Sequence, residues 1–294
     1  MSDMITDCES LLGQSSVSGP DGRRGFLKVA LGAGFAVAVL PVAAQNVIKT
    51  DSAGLVTGTM SVMVDGQAVP VYAAQPEGKT GLPVVLVISE IFGVHEHIAD
   101  MARRFAKQGY LALAPDLFVR QGDSTKVASI PELMKGIIAK TPDAQVMADL
   151  DAVVAWAKQN GGDTSRLGIT GFCWGGRITW LYAAHNPAVK AGVAWYGRLV
   201  GEPTPLQPSN PIDIAATLQV PVLGLYGGKD TGISQESIAK MKEALAKGGN
   251  KSEFVVYPDA GHAFNADYRP SYVAADAKDG FARCLAWFKT HGVA

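Results

Sequence analysis

The chain has 294 residues, of which 48% are hydrophobic and 18% charged, with 26 basic side chains against 27 acidic. That excludes a disordered or collagen-like chain, and a core of this size folds without disulfides or a structural metal. A net charge of -1 supplies no global field for a polyanion, so no nucleic-acid partner is expected.

Taken in chain order, the first distinctive stretch is Arg23-Arg24-Gly25-Phe26-Leu27-Lys28, followed by an uncharged apolar run from Val29 to Val42 and by Ala43-Ala44. Paired arginines before a Gly- and Ala-rich apolar run resemble a twin-arginine export signal. A run of 14 residues is short for a bilayer span, so an uncut membrane anchor is the weaker alternative. The small residues Val42 and Ala44 suit a signal-peptidase site, and cleavage is expected after Ala44. Three parts follow: a cleaved signal at 1–44, a connecting segment at 45–58 and one domain at 59–294. The mature chain then has 250 residues, with 23 basic and 23 acidic. Its expected location is the periplasm, reached through the twin-arginine machinery, with no stable membrane association after cleavage. It keeps two of the three cysteines, Cys173 and Cys284, and Cys284 lies in an amphipathic helical pattern typical of a buried structural thiol.

Thr59 to Ala74 alternates around Asp65-Gly66, a hairpin signal. Pro83 to Ser89 is the continuous apolar run of a strand buried on both faces. A helix is expected over Ile98 to Gln108, a strand at Tyr110 to Ala114 and a helix from Ala144 to Asn160. Strands follow at Arg166 to Gly171, Ala191 to Tyr196, Val220 to Tyr226 and Glu253 to Tyr257, with helices between them and a last helix from Tyr272 to Thr290. Alternating β and α predicts an α/β fold, a mainly parallel sheet covered by helices on both faces, with ligands at the carboxyl ends of the strands.

Three of those strand ends carry reactive side chains. Gly171-Phe172-Cys173-Trp174-Gly175 is a G-x-S-x-G nucleophile elbow with Cys in place of Ser. A nucleophile in a tight strand-to-helix turn needs small neighbours two positions away, and the helix that follows aims its N-terminus at charge developing beside the sulfur. Gly227-Gly228-Lys229-Asp230 and Ala260-Gly261-His262 each follow a strand. Nucleophile, acid, histidine is the chain order of an α/β-hydrolase triad, with Asp259 or Asp116 as alternative acids.

With Ser89-Glu90-Ile91-Phe92-Gly93, Pro115-Asp116-Leu117-Phe118, Tyr196-Gly197 and Gly261-His262-Ala263-Phe264 in the same order, the chain resembles the dienelactone hydrolase (carboxymethylenebutenolidase) family from about Thr59 to its end. The resemblance implies an α/β-hydrolase fold, no cofactor, no metal and a small ester or lactone substrate. It implies Cys173 as nucleophile, His262 as general base and acid, and Asp230 as the group that orients the imidazole. The backbone amides of Ile91 and Trp174 would form the oxyanion hole. Glu90 would hydrogen-bond the resting thiol and gate it, keeping it neutral and protected from oxidation. The family's substrate-carboxylate arginine, four residues after the histidine, is Ala266 here; Arg269, Arg198 and Tyr196 are the candidates to contact substrate in its stead. His95 and His97 are expected to face solvent or cap the next helix rather than hold a metal. A non-catalytic exported scaffold that binds a carbonyl ligand or a protein partner is the alternative to a hydrolase.

Overall fold

The computed structural model describes residues 47–294. The export-signal reading falls on residues 1–44, outside the described residues. Eight strands form one sheet in the order β1-β2-β4-β3-β5-β6-β7-β8. The first two, β1 (Leu55–Val64) and β2 (Gln67–Pro76), are an antiparallel hairpin, and β2 runs antiparallel to β4 (Leu111–Pro115). Asp65 and Gly66 join the hairpin with φ of 49° and 81°, the two positive values that a two-residue turn matched to strand twist requires. β1 starts at Leu55, four residues ahead of the expected Thr59.

The other strands are parallel: β3 (Leu82–Ile88) beside β4 and β5 (Gly162–Phe172), then β6 (Val189–Trp195), β7 (Val222–Gly227) and β8 (Glu253–Tyr257) in turn. β3 and β4 read as unbroken apolar runs because helices cover the sheet and leave neither face to water. Helix α1 (Glu96–Lys107) follows β3, α2 (Ile130–Gly136) and α3 (Asp143–Gln159) precede β5, and α4 (Trp174–His185) follows it. The short α5 (Pro211–Ile214) precedes β7, α6 (Gln235–Lys247) lies between β7 and β8, and α7 (Ala274–Thr290) ends the fold. Among the described residues no helix is long and apolar enough to cross a membrane.

One expected helix boundary moves for an identifiable reason. α7 begins at Ala274 rather than Tyr272, because the Tyr272 amide bonds to the Arg269 carbonyl and the Val273 amide to that of Phe264, which ties both residues into the preceding loop. α2 carries its own signal: Ser129 accepts from the Glu132 amide in an S-x-x-E cap.

The segment ahead of β1 is fastened to the body. The Thr50 amide donates to Asp100 at 2.5 Å, Arg103 donates to the Thr50 carbonyl at 2.9 Å, and the Ile48 amide donates to Asp267 at 3.2 Å. Farther round, Arg177 of α4 forms a two-point ion pair with Asp143 at the start of α3, at 2.7 and 2.8 Å, and also donates to the Ser209 carbonyl. Arg177 is fully buried, so removing its partner strands a charge. Asp143→Ala is expected to lower stability by about 3–5 kcal/mol, read from the midpoint of a urea denaturation curve; a loss under about 1 kcal/mol would contradict this account.

Candidate active site

β3, β5, β6, β7 and β8 are successive neighbours in the sheet, and the residue just past the carboxyl end of each is, or lies close to, a chemically distinctive one: Glu90, Cys173, Tyr196, Asp230 and His262. The topology therefore gathers residues scattered over more than half the chain into one cleft. Cys173 joins β5 to α4 with φ 54° and ψ -113°, a conformation costly for a residue with a side chain. The turn holds because its neighbours have no Cβ. At Gly171 a Cβ would lie 2.2 Å from the Gly175 carbonyl oxygen, and at Gly175 it would lie 2.4 Å from the Ile88 carbonyl oxygen. The Cys173 amide is tied to the Trp195 carbonyl at 3.0 Å. Trp174 is the first residue of α4, so its amide has no acceptor within the helix, and Ile91 stands beside the end of β3.

His262 and Asp230 meet across two loops. The Gly228 amide bonds to the Tyr257 carbonyl at 2.7 Å and the Lys229 amide to that of Ala260 at 2.9 Å, stitching the loop after β7 to the loop after β8. His262 Nδ1 then lies 2.7 Å from Asp230 Oδ2, and Asp230 Oδ1 accepts from the amides of Gly232 and Ile233. Burial works against protonation of this imidazole. The Asp230 carboxylate and the sulfur of Cys173 outweigh it and hold His262 well above its ordinary value. His262 Nε2 is buried and makes no hydrogen bond of ordinary geometry. The alternative acids are engaged elsewhere: Asp259 is exposed and pairs with Lys229 at 2.7 Å, while Asp116 accepts from the Phe118 amide at 3.2 Å.

The opposite wall is polar and enclosed. Glu90 is 1% exposed, and its Oε2 accepts a hydrogen bond from the Tyr268 hydroxyl, while Oε1 has no partner. The expected bond from the Cys173 thiol to Glu90 is not formed: Oε2 accepts from the Tyr268 phenol, and Oε1 accepts from no donor. Tyr196 is fully buried with φ 38°, its ring edge-on to His262 at 5.1 Å and its hydroxyl without a partner. Arg269 is buried, with its guanidinium over the Phe92 ring at 5.8 Å and close enough to act on Tyr196 and Tyr268. Arg198 is half-buried, its guanidinium against Gly201 in the loop that follows β6. Ala266, at the family's arginine position, is fully buried.

His95 and His97 do not behave as expected. His97 is buried and pairs with Asp267 at 3.0 Å, and Arg104 holds the other oxygen of that carboxylate at 2.8 Å. His95 precedes α1 but caps nothing with its side chain; burial, together with His97 and Arg269, keeps its ring neutral by lowering it to about 3. The reason is Asp267 and Tyr268, which arrive from the far end of the chain to cover this loop. Among the described residues no group of His, Cys, Asp and Glu is placed to hold a metal ion.

With this geometry in view, the comparisons with known proteins are specific. The family model described as "Dienelactone hydrolase family" matches residues 69–292. The chain belongs to the dienelactone hydrolase family. It is 56% identical over 289 residues to a protein of Methylorubrum extorquens named "Putative carboxymethylenebutenolidase", covering 98% of each chain. A crystal structure of a "Putative Dienelactone Hydrolase" from Klebsiella pneumoniae superposes with TM-score 0.79 at 56% identity, covering 80% of this chain and 98% of that one. A Bradyrhizobium protein named "Probable 2-oxo-3-(5-oxofuran-2-ylidene)propanoate lactonase" is 30% identical over 234 residues, 79% of this chain and 93% of its own length. As a dienelactone hydrolase family member the chain is of a hydrolase family, with the α/β-hydrolase fold. Sequence reasoning missed Tyr268 and the His97-Asp267-Arg104 group, although Asp267 and Tyr268 directly precede Arg269 in the chain.

Proposed function

We propose that this protein hydrolyses an ester or lactone through an acyl-enzyme on Cys173. The observation that carries the reading is the buried His262-Asp230 pair, 2.7 Å apart, set beside a cysteine in a strained strand-to-helix turn. His262 takes the proton from Sγ, and the sulfur attacks the carbonyl carbon. The amides of Ile91 and Trp174 receive the developing oxyanion. Collapse breaks the bond to the leaving oxygen, which takes the proton from His262, and a water activated by the same imidazole then cleaves the thioester to release the acid.

The substrate we favour carries a carboxylate beside its ester or lactone. Arg269 is the buried cation of the cleft, in a chain where the family's arginine is Ala266, and the name of the Bradyrhizobium relative describes a lactone bearing a propanoate. Turnover of cis- and trans-dienelactone is to be compared with that of neutral aryl esters by the mature protein and by Arg269→Met. The variant should raise KM for the carboxylated substrates by roughly 10-fold or more and leave neutral esters nearly unchanged, since it removes a charge-assisted contact made in the ground state. Equal losses on both substrate classes would end this role for Arg269. We further read residues 1–44 as a cleaved twin-arginine signal that delivers a single-domain enzyme to the periplasm, on the Arg23-Arg24 pair and the apolar run that follows it.

A further inference from the structure

We propose that Asp267 is a positioning residue of the cleft: held by α1 and by the segment ahead of β1, it fixes the loop that carries Arg269 and so sets the preference for carboxylated substrates. This rests on the reading of Arg269 as the group that receives the substrate's carboxylate.

The stretch from His262 to Val273 contains no strand or helix. It is a chain of turns, in which the amides of Ala266, Arg269 and Tyr272 bond to the carbonyls of Ala263, Ala266 and Arg269 at 2.9, 2.9 and 3.1 Å. The Val273 amide closes it on the Phe264 carbonyl at 3.0 Å. Such bonds fix the shape of the loop, while its place over the sheet needs anchors to other elements.

Asp267 is fully buried and supplies one. Its Oδ1 lies 3.0 Å from His97 Nδ1, and its Oδ2 accepts from Arg104 at 2.8 Å and from the Ile48 amide at 3.2 Å. His97 and Arg104 belong to α1, and Ile48 to the segment ahead of β1. Arg104 also donates through Nε to Asp100 at 2.6 Å, and Asp100 receives the Thr50 amide at 2.5 Å. One guanidinium therefore joins the anchor of the loop to the anchor of that segment. Charge-assisted bonds shielded from water are strong and directional.

Two residues after Asp267, the Arg269 guanidinium lies over the Phe92 ring at 5.8 Å. Asp267 and Arg269 occupy the second and fourth places of one turn, so a loop released at Asp267 carries Arg269 with it. A displacement of about 1 Å is enough to weaken a contact that depends on placement. His262 is held separately, by Asp230 at 2.7 Å, and the Lys229 amide holds the chain just before it at Ala260. Releasing Asp267 therefore disturbs carboxylate binding more than the chemistry at Cys173.

The test is the ratio of kcat/KM for cis-dienelactone to that for a neutral aryl ester, measured on the mature protein. Asp267→Ala should lower this ratio by roughly fivefold or more, through KM for the dienelactone, toward the value of Arg269→Met. In the Arg269→Met background the same substitution should change the ratio by less than about twofold, because it acts through a group already removed.

Equal losses on both substrates, or a full further fall in the Arg269→Met background, overturn the positioning role. Should Asp267→Ala fail to fold, Arg104→Lys decides, since lysine keeps the charge but lacks the planar fork that spans Asp100 and Asp267. A ratio lowered by about threefold then supports the role, and a ratio at the wild-type value overturns it. The two readings fail differently. If Arg269→Met leaves the ratio at the wild-type value, the carboxylate reading fails and takes this role with it; if Arg269→Met lowers the ratio and Asp267→Ala does not, only the role of Asp267 fails.

Discussion

Cys173→Ala is expected to lower turnover of dienelactones and aryl esters by at least roughly a hundredfold, with the fold intact. On the proposed acyl-enzyme route Tyr196 and Tyr268 are poor substitutes for the thiol, since burial holds both far above their ordinary values, and Ser89 stands just past the end of β3 rather than in the elbow. On that proposal, what remains after the substitution is substrate binding and the amides of Ile91 and Trp174, which would retain a fraction of the catalysis without a thioester. Alanine keeps the Cβ at φ 54°, so stability should change little. Cys173→Gly should be equally inactive but more stable by about 1 kcal/mol, because glycine removes the strain of that conformation. Both are read from kcat/KM and thermal unfolding. Turnover by Cys173→Ala equal to the wild type would sink the hydrolase mechanism.

Gly175→Ala is expected to have the largest effect on stability, about 4 kcal/mol or more, or no soluble folded protein at all. The added carbon would lie 2.4 Å from the Ile88 carbonyl oxygen and 2.6 Å from that of Ser89. Both are main-chain atoms at the end of β3, so relief requires moving either α4 away from the sheet or the segment that carries Glu90 and Ile91. Losses of this size come from a few causes, and a collision with backbone beneath an already strained turn is one of them. Gly261→Ala is the matched control, since a Cβ there meets nothing within 4 Å. Comparable urea midpoints for the two variants would mean that the elbow is not held by close approach of backbone.

Much of the site was legible because its signals are local. The elbow is read from glycines two positions either side of Cys173, and the strand ends from apolar runs that stop at Gly-Gly-Lys-Asp and Ala-Gly-His. The hairpin is written in Asp65-Gly66 for the same reason: positive φ at both positions is a property of those two residues. The expected frame of the sheet follows, since strands and helices alternate and each apolar run is long enough for a strand buried on both faces.

The polar wall was not legible. Tyr268 meets Glu90 across 178 positions of chain, and His97 meets Asp267 across 170. No periodicity or spacing encodes such a pairing, which depends on where the loop after β8 lands once the sheet has formed. His95 and His97 looked like ordinary loop histidines, and only the covering loop encloses them. The sequence alone determined the succession of strands and helices, the small neighbours of the Cys173 turn and the positions of Asp230 and His262 just past strands, because each of these is settled within a few residues by backbone sterics and side-chain size. Tertiary structure decided which partner Glu90 accepts from and how deeply the cleft is closed, because a buried carboxylate takes its donor from whatever the fold packs against it.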